Sequence, residues 1–387
     1  MPFRSTLTQW DNPSWHTERN YSASVASAFK DIHRLLAPSA KELSAYLRAH
    51  DALLRLVHTP MSAHQREHLF YLLGMGDAAG GRYKDAHSSL DQALNLALTL
   101  NEPGDACQLL IFRASVFRGL LKVGEAAADL RTCLSTWGKY AEDTGKALSD
   151  VIDPAVRLEV YARLAGDAFY QADYAGAQEA VDQGRALLRL VRSHALEKAT
   201  LDWTQSLLCS VGKKPDYALE LALHANEGYA RQSAPSRIRS HVLVAGAALD
   251  RAESMTDRTR SRALIQKQAL PYLDSAKRLA HIVDDNAGLG LTILLGARAS
   301  RLLGYDEIRE RQIEPVIHLA RRLDDETLLA QAHTALGDEY ASQGKFSRAL
   351  SAYRDALGVL DGSEALALKN PARIRIREIE MDGSRRD

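Results

Sequence analysis

The sequence predicts an all-α protein built as an α-solenoid of about seven helical pairs, with capping helices at the N-terminal and C-terminal ends. Three observations carry this. Phe346, Ala349, Leu350, Tyr353, Ala356, Leu357 and Leu360 form one apolar stripe of helical period. The segment from Asp284 to Gly304 matches the segment from Asp324 to Gly344 at a constant shift of forty residues, which is the mark of an internal repeat. Finally, 46% of the residues are apolar but only 6% aromatic, and the apolar set is rich in Ala and Leu. That suits helices packing closely through small residues, and no run long enough for a strand alternates.

Composition narrows the function. Lys plus Arg and Asp plus Glu both number 49, so no global field draws in nucleic acid or an acidic membrane. Cys107, Cys133 and Cys209 lie far apart without a CxxC pair. They read as small buried residues in a reducing compartment. The first fifteen residues lack the apolar core of a signal peptide, and no stretch of eighteen apolar residues occurs, so a soluble cytoplasmic protein is expected.

Taken in order, residues 1–20 show no periodicity and read as an irregular N-terminal segment; its Trp10 and Trp15 leave open an aromatic peptide that docks in a groove. Residues 21–66 carry two apolar stripes broken at Pro38: Val25, Phe29, Ile32 and Leu36, then Leu43, Leu47, Leu54 and Val57. These are expected to be N-terminal capping helices. The solenoid proper is placed at residues 67–361. Its first copy has Phe70, Leu73 and Gly74, a turn at Gly81, and Ala86, Leu90 and Ala93. The next keeps a turn at Gly124 but places Asp129 where a small residue is expected. Residues 159–191 keep Gly166, Phe169, Ala177, Val181 and Gly184, with a turn one residue short. Trp203, Leu208, Ala218, Ala222 and Ala225 mark the fourth copy. Val242, Gly246 and Leu249 then precede a charged insertion, residues 255–262, expected to be a loop, and Ala269, Leu273 and Ala276 follow it. The pairs Asp284-Asp285 and Asp324-Asp325 fall where one helix ends and the next begins, so they are expected to cap helices. Residues 362–387 form a C-terminal cap and frayed tail, the cap being a short helix.

The best copy, residues 330–361, has Leu336, Gly337 and Tyr340 on its first helix, a turn at Gly344, and Ala349, Tyr353 and Ala356 on its second. It resembles a tetratricopeptide repeat, with His333 in the tryptophan place and Asp361 where a proline often sits. The resemblance covers about residues 67–361 and implies a right-handed α-solenoid whose first helices line a concave groove. It also implies a non-enzymatic scaffold, an adaptor or sensor, that holds a peptide or protein segment in that groove. Carried over by repeat position, the groove-facing residues are His68, Tyr71 and Met75; Arg118 and Lys122; Arg163, Asp167, Tyr170 and Gln171; Arg298 and Arg301; and Gln331, Thr334 and Asp338. The arginines would grip a carboxylate with two parallel hydrogen bonds. The cadence of VIHLARRLDD is similar to the sensor half of bacterial helix-turn-helix regulators and of multidomain regulatory ATPases. A second reading is therefore a transcription-linked sensor acting through another chain. No cofactor, membrane or nucleic-acid partner is expected, and homo-oligomerisation through a solenoid edge stays open.

One motif points to catalysis. His64, Glu67 and His68 match HxxEH, the inverted zinc-protease signature, with Glu142 as a downstream carboxylate. A zinc hydrolase is the least favoured reading, because that chemistry belongs to a mixed α/β fold. Gly74, Gly76 and Gly80 are spaced G-x-G-x-x-x-G with no strand before them, and no phosphate loop or serine elbow occurs. The expectation is that the protein is not an enzyme.

Overall fold

The computed structural model describes residues 51, 53–58, 60–79, 82–191, 194–305 and 309–383. The expectations for residues 1–20, for most of the N-terminal caps, for the turn at Gly81 and for the last four residues lie outside these. Among the described residues every regular element is helical, and no helix is long and apolar enough to cross a membrane. The chain divides into two compact units, Met1–Asp153 and Pro154–Asp387.

In the first unit, α1 (Ala63–Ala79) packs on α2 (Tyr83–Thr99) and α3 (Pro103–Gly119) on α4 (Val123–Thr144), with α2 against α3. Small residues set the spacing: Ala86, Ala93, Ala114 and Ala126 are fully buried. Cys107 and Cys133 belong to the same contact, each Sγ lying 3.7 Å from the other's carbonyl oxygen. The charge at Asp129 has a structural answer. Arg113 on α3 donates two hydrogen bonds to its carboxylate, at 2.8 and 2.7 Å, and a third to Asp91 on α2. One guanidinium therefore ties three helices together.

The second unit continues the scheme. α5 (Pro154–Tyr170) packs on α6 (Tyr174–Leu187), and α7 (Ala195–Val211) on α8 (Pro215–Tyr229). α9 (Ala234–Ser254) faces a longer partner made of α10 (Arg258–Leu264), a π-helical turn at Ile265–Ala269 and α11 (Leu270–Val283). The last pairs are α12 (Asn286–Leu303) with α13 (Arg309–Leu323) and α14 (Glu326–Ser342) with α15 (Phe346–Val359). A final helix, α16, spans Leu366–Gly383.

The acidic pairs cap helices as expected. Asp285 accepts from the Gly288 amide and Asp325 from the Leu328 amide, both at 2.9 Å, while Asp284 and Asp324 take the left-handed conformation that ends the preceding helices. Three local expectations change. The charged stretch 255–262 is mostly helix, because Asp257 accepts from the amides of Thr259 and Arg260 and starts α10. Phe346, placed in the apolar stripe, opens α15 at 43% exposure. The third change concerns register in α5. Gly166 faces open space, whereas a side chain added at Gly337 would overlap the Tyr353 ring. Fully buried Ala165, twelve residues before buried Ala177 as Gly337 is before Ala349, holds the close-approach position. That register also removes the apparent one-residue deficit in the turn.

Candidate binding groove

The first helices of the second unit, α5, α7, α9, α12 and α14, contact one another in succession and form a continuous wall. The i, i+3/i+4 spacing that buries one stripe of each helix against its pair partner leaves a second stripe facing this wall. Across α12 and α14 the stripe lines a cavity of about 300 Å³. Its sides are Leu291, Leu294, Arg298 and Arg301 from α12, and Gln331, Thr334 and Asp338 from α14. Val242 and Ile313 add apolar surface, and Ala367, Leu368 and Pro371 of α16 complete the lining.

Charge in this cavity is largely internally matched. Arg298 lies 2.8 Å from Asp250 and also grips Glu253, and Arg301 lies 3.8 Å from Glu253. Burial disfavours the charge of Arg298, but the Asp250 and Glu253 carboxylates outweigh it and raise its pKa. Burial likewise pushes the Glu253 carboxyl up, yet Arg298 and Arg301 win and hold it below the usual carboxylate range. Asp338 accepts the Tyr353 hydroxyl at 2.8 Å and lies 3.5 Å from Arg375. Burial first, and the Asp338 carboxylate second, drive the Tyr353 pKa upward. Gln331 differs, since its buried Oε1 accepts no hydrogen bond from the described residues.

Five of the residues predicted from repeat position, Arg298, Arg301, Gln331, Thr334 and Asp338, thus meet in one cavity. The others are placed elsewhere. His68 and Met75 are buried in the first unit and Tyr71 there sets its ring edge-on to Phe112, with centroids 5.9 Å apart. Arg118 is half-buried on α3, and Lys122 stands exposed in the turn before α4, bonded to Glu125 at 2.9 Å. Arg163 is paired with Glu159 on its own helix, and Asp167 is fully buried. Tyr170 lies edge-on to Phe169, and Gln171 is in the turn after α5. Sequence reasoning missed Leu291 and Leu294, although the forty-residue shift maps them onto Gln331 and Thr334. It also missed Ala367, Leu368 and Pro371, which no repeat register reaches.

The zinc-protease motif does not assemble as written. His64 and Glu67 lie with Glu102, their potential ligand atoms within 4.8 Å of one another. His68 is outside that group and packs by Tyr71, with ring centroids 6.3 Å apart, while Glu142 is exposed on α4.

No protein-family model matches the sequence, and no curated protein matches it significantly. Solved structures do. The apo quorum sensor NprR from B. thuringiensis superposes with a TM-score of 0.64 at 14% identity, over 90% of this chain and 91% of that one. A Rap protein in complex with Competence and Sporulation Factor gives 0.57 at 10% identity, over 94% and 98%. A signal-transduction ATPase with a tetratricopeptide repeat sensor, from Pyrococcus horikoshii, gives 0.57 at 12% identity, over 95% of this chain and 55% of that one. The fold is a tetratricopeptide-repeat α-solenoid. Within the tetratricopeptide scheme, Gly337 and Ala165 are the small contact residues of first helices, and Arg298 and Asp338, which both line the cavity, hold equivalent repeat positions forty residues apart.

Proposed function

We propose that the protein is a non-enzymatic binding module, a sensor or adaptor, that holds a peptide or an extended protein segment against the first-helix wall of residues 154–383. The observation carrying this reading is the cavity lined by Leu291, Leu294, Arg298, Gln331, Thr334 and Asp338. Apolar walls with a few convergent polar groups suit an anchored peptide side chain, and Gln331 Oε1 offers an acceptor for a peptide N–H. Because Arg298 and Arg301 already face Asp250 and Glu253, the favoured ligand is an apolar anchor beside a backbone donor rather than an acidic peptide. The second reading, a regulatory sensor whose output lies on another chain, is consistent with the sensor proteins that share the fold.

The test is a displayed-peptide selection against the full chain, followed by affinity measurements on Thr334→Arg, which fills the cavity, and Gln331→Ala. Binding of selected peptides should weaken by at least about tenfold, or about 1.4 kcal/mol, with helical content and melting preserved. Peptides that bind both variants as well as the parent would place the site elsewhere.

A further inference from the structure

The first turn of α16 is held differently from the rest of that helix. From Ala372 onward α16 is anchored on its own neighbours: Ala372 is buried with Ala349, Tyr353 and Ala356, and Ile376 and Ile379 pack behind it. Leu366–Asn370 reaches instead to the opposite end of the unit. There Ala367 packs against the cluster of Ala168, Phe169 and Ala177, and Asn370 Nδ2 donates to the Tyr174 hydroxyl at 3.4 Å, a contact spanning 196 residues of chain. The stack of pairs is closed on itself by this one turn.

The turn also hangs between two breaks. Pro371 has no N–H for the Ala367 carbonyl, so the helical ladder is interrupted there. Gly362, with φ of +77°, marks the other end. The hydrogen bond to Tyr174 is long and the proline breaks the helical ladder beside it, so local opening costs less than unfolding the pair beneath. Ala367 and Leu368 meanwhile stand in the wall of the cavity.

We propose that Leu366–Asn370 is a clasp, a movable wall of the groove, and that an incoming peptide of the same chemistry, small apolar side chains next to an amide, takes its place. The second half of this statement rests on the reading of the groove as a peptide site. While the clasp is closed the groove is not competent, and observed affinity falls by the fraction of molecules that are open.

The probe is a labelled synthetic peptide of the sequence Ser363–Ala372, used with full-length protein. Three forms are compared: the parent, an Ala367→Asp variant that loosens the clasp, and a Tyr174→Cys/Asn370→Cys pair joined by a short bismaleimide in a Cys209→Ala background. The loosened form should bind the peptide at least tenfold more tightly than the parent, and the cross-linked form should not bind it. Asn370→Ala, a milder change, should move affinity in the same direction as Ala367→Asp and guards against a folding defect in the latter. Equal binding by all forms, or no binding by either loosened variant, overturns the clasp. The two readings fail separately: if selected peptides bind the cross-linked and loosened forms alike, the clasp is wrong and the groove stands. If the loosened form takes the clasp peptide while Thr334→Arg leaves the selected peptides unaffected, the groove assignment is wrong and only the opening of the Leu366–Asn370 turn stands.

Discussion

Buried charge is where single residues matter most in this chain. Arg113 is mostly buried and divides its guanidinium between Asp129 and Asp91. Burial opposes its charge, but the two carboxylates more than offset this and raise its pKa. Asp129→Ala should therefore destabilise by about 3 kcal/mol, because a buried charge loses its two-pronged partner; thermal melting measures it, and an unchanged melt would show that Asp91 alone suffices. His333, in the place where related repeats carry tryptophan, behaves differently. Burial lowers its pKa, with the nearby Arg321 adding to the effect and Asp355 opposing it. A folded-state pKa below the ordinary value means that the unfolded chain takes up a proton first. The stability His333 gives is complete above about pH 6.5 and is lost as the pH falls through the folded-state value. Melting followed from pH 7.5 to 5.5 should decline, and His333→Leu should flatten that decline.

The repeat as an element is governed by how close its two helices come. At Gly337 the opposing ring is Tyr353, which is fully buried and fixed through its hydroxyl to Asp338, so it cannot give way. Gly337→Ala should cost about 1–3 kcal/mol by overpacking. At Gly166 there is open space, and Gly166→Ala should stabilise by about 0.5–1 kcal/mol by removing a helix-interior glycine. Opposite shifts in melting temperature would establish the α5 register; the same sign for both would refute it. Both glycines follow a leucine or alanine in similar context, so sequence could not separate them. What separates them is which residue stands opposite, and that depends on the length of the intervening turn.

For the whole molecule, equal numbers of basic and acidic residues combine with internal pairing of the groove arginines. Generic single-stranded RNA or duplex DNA should show no salt-sensitive binding, since the net charge is zero and the cavity's Arg298 is already paired with Asp250 and Glu253. A titration at low and moderate salt tests this, and a steep salt slope would reveal a basic strip. About a third of the cavity lining was legible beforehand: the repeat register put Arg298, Arg301, Gln331, Thr334 and Asp338 on one face. Whether those arginines are available to a ligand was not legible, because Asp250 and Glu253 come from α9, one pair earlier.

Sequence alone determined the helical class, the forty-residue repeat, the caps at Asp285 and Asp325 and the residues that let helices touch at Gly337. All of these are local: they follow from periodicity, from turn chemistry and from partners within one pair. Tertiary structure decided the register at Ala165, the matching of Arg113 with Asp91 and Asp129, the neutralisation of Arg298 and the path of α16. The common cause is distance along the chain. Asn370 meets Tyr174 only because many small rotations between pairs accumulate, and no pattern in either segment encodes that sum.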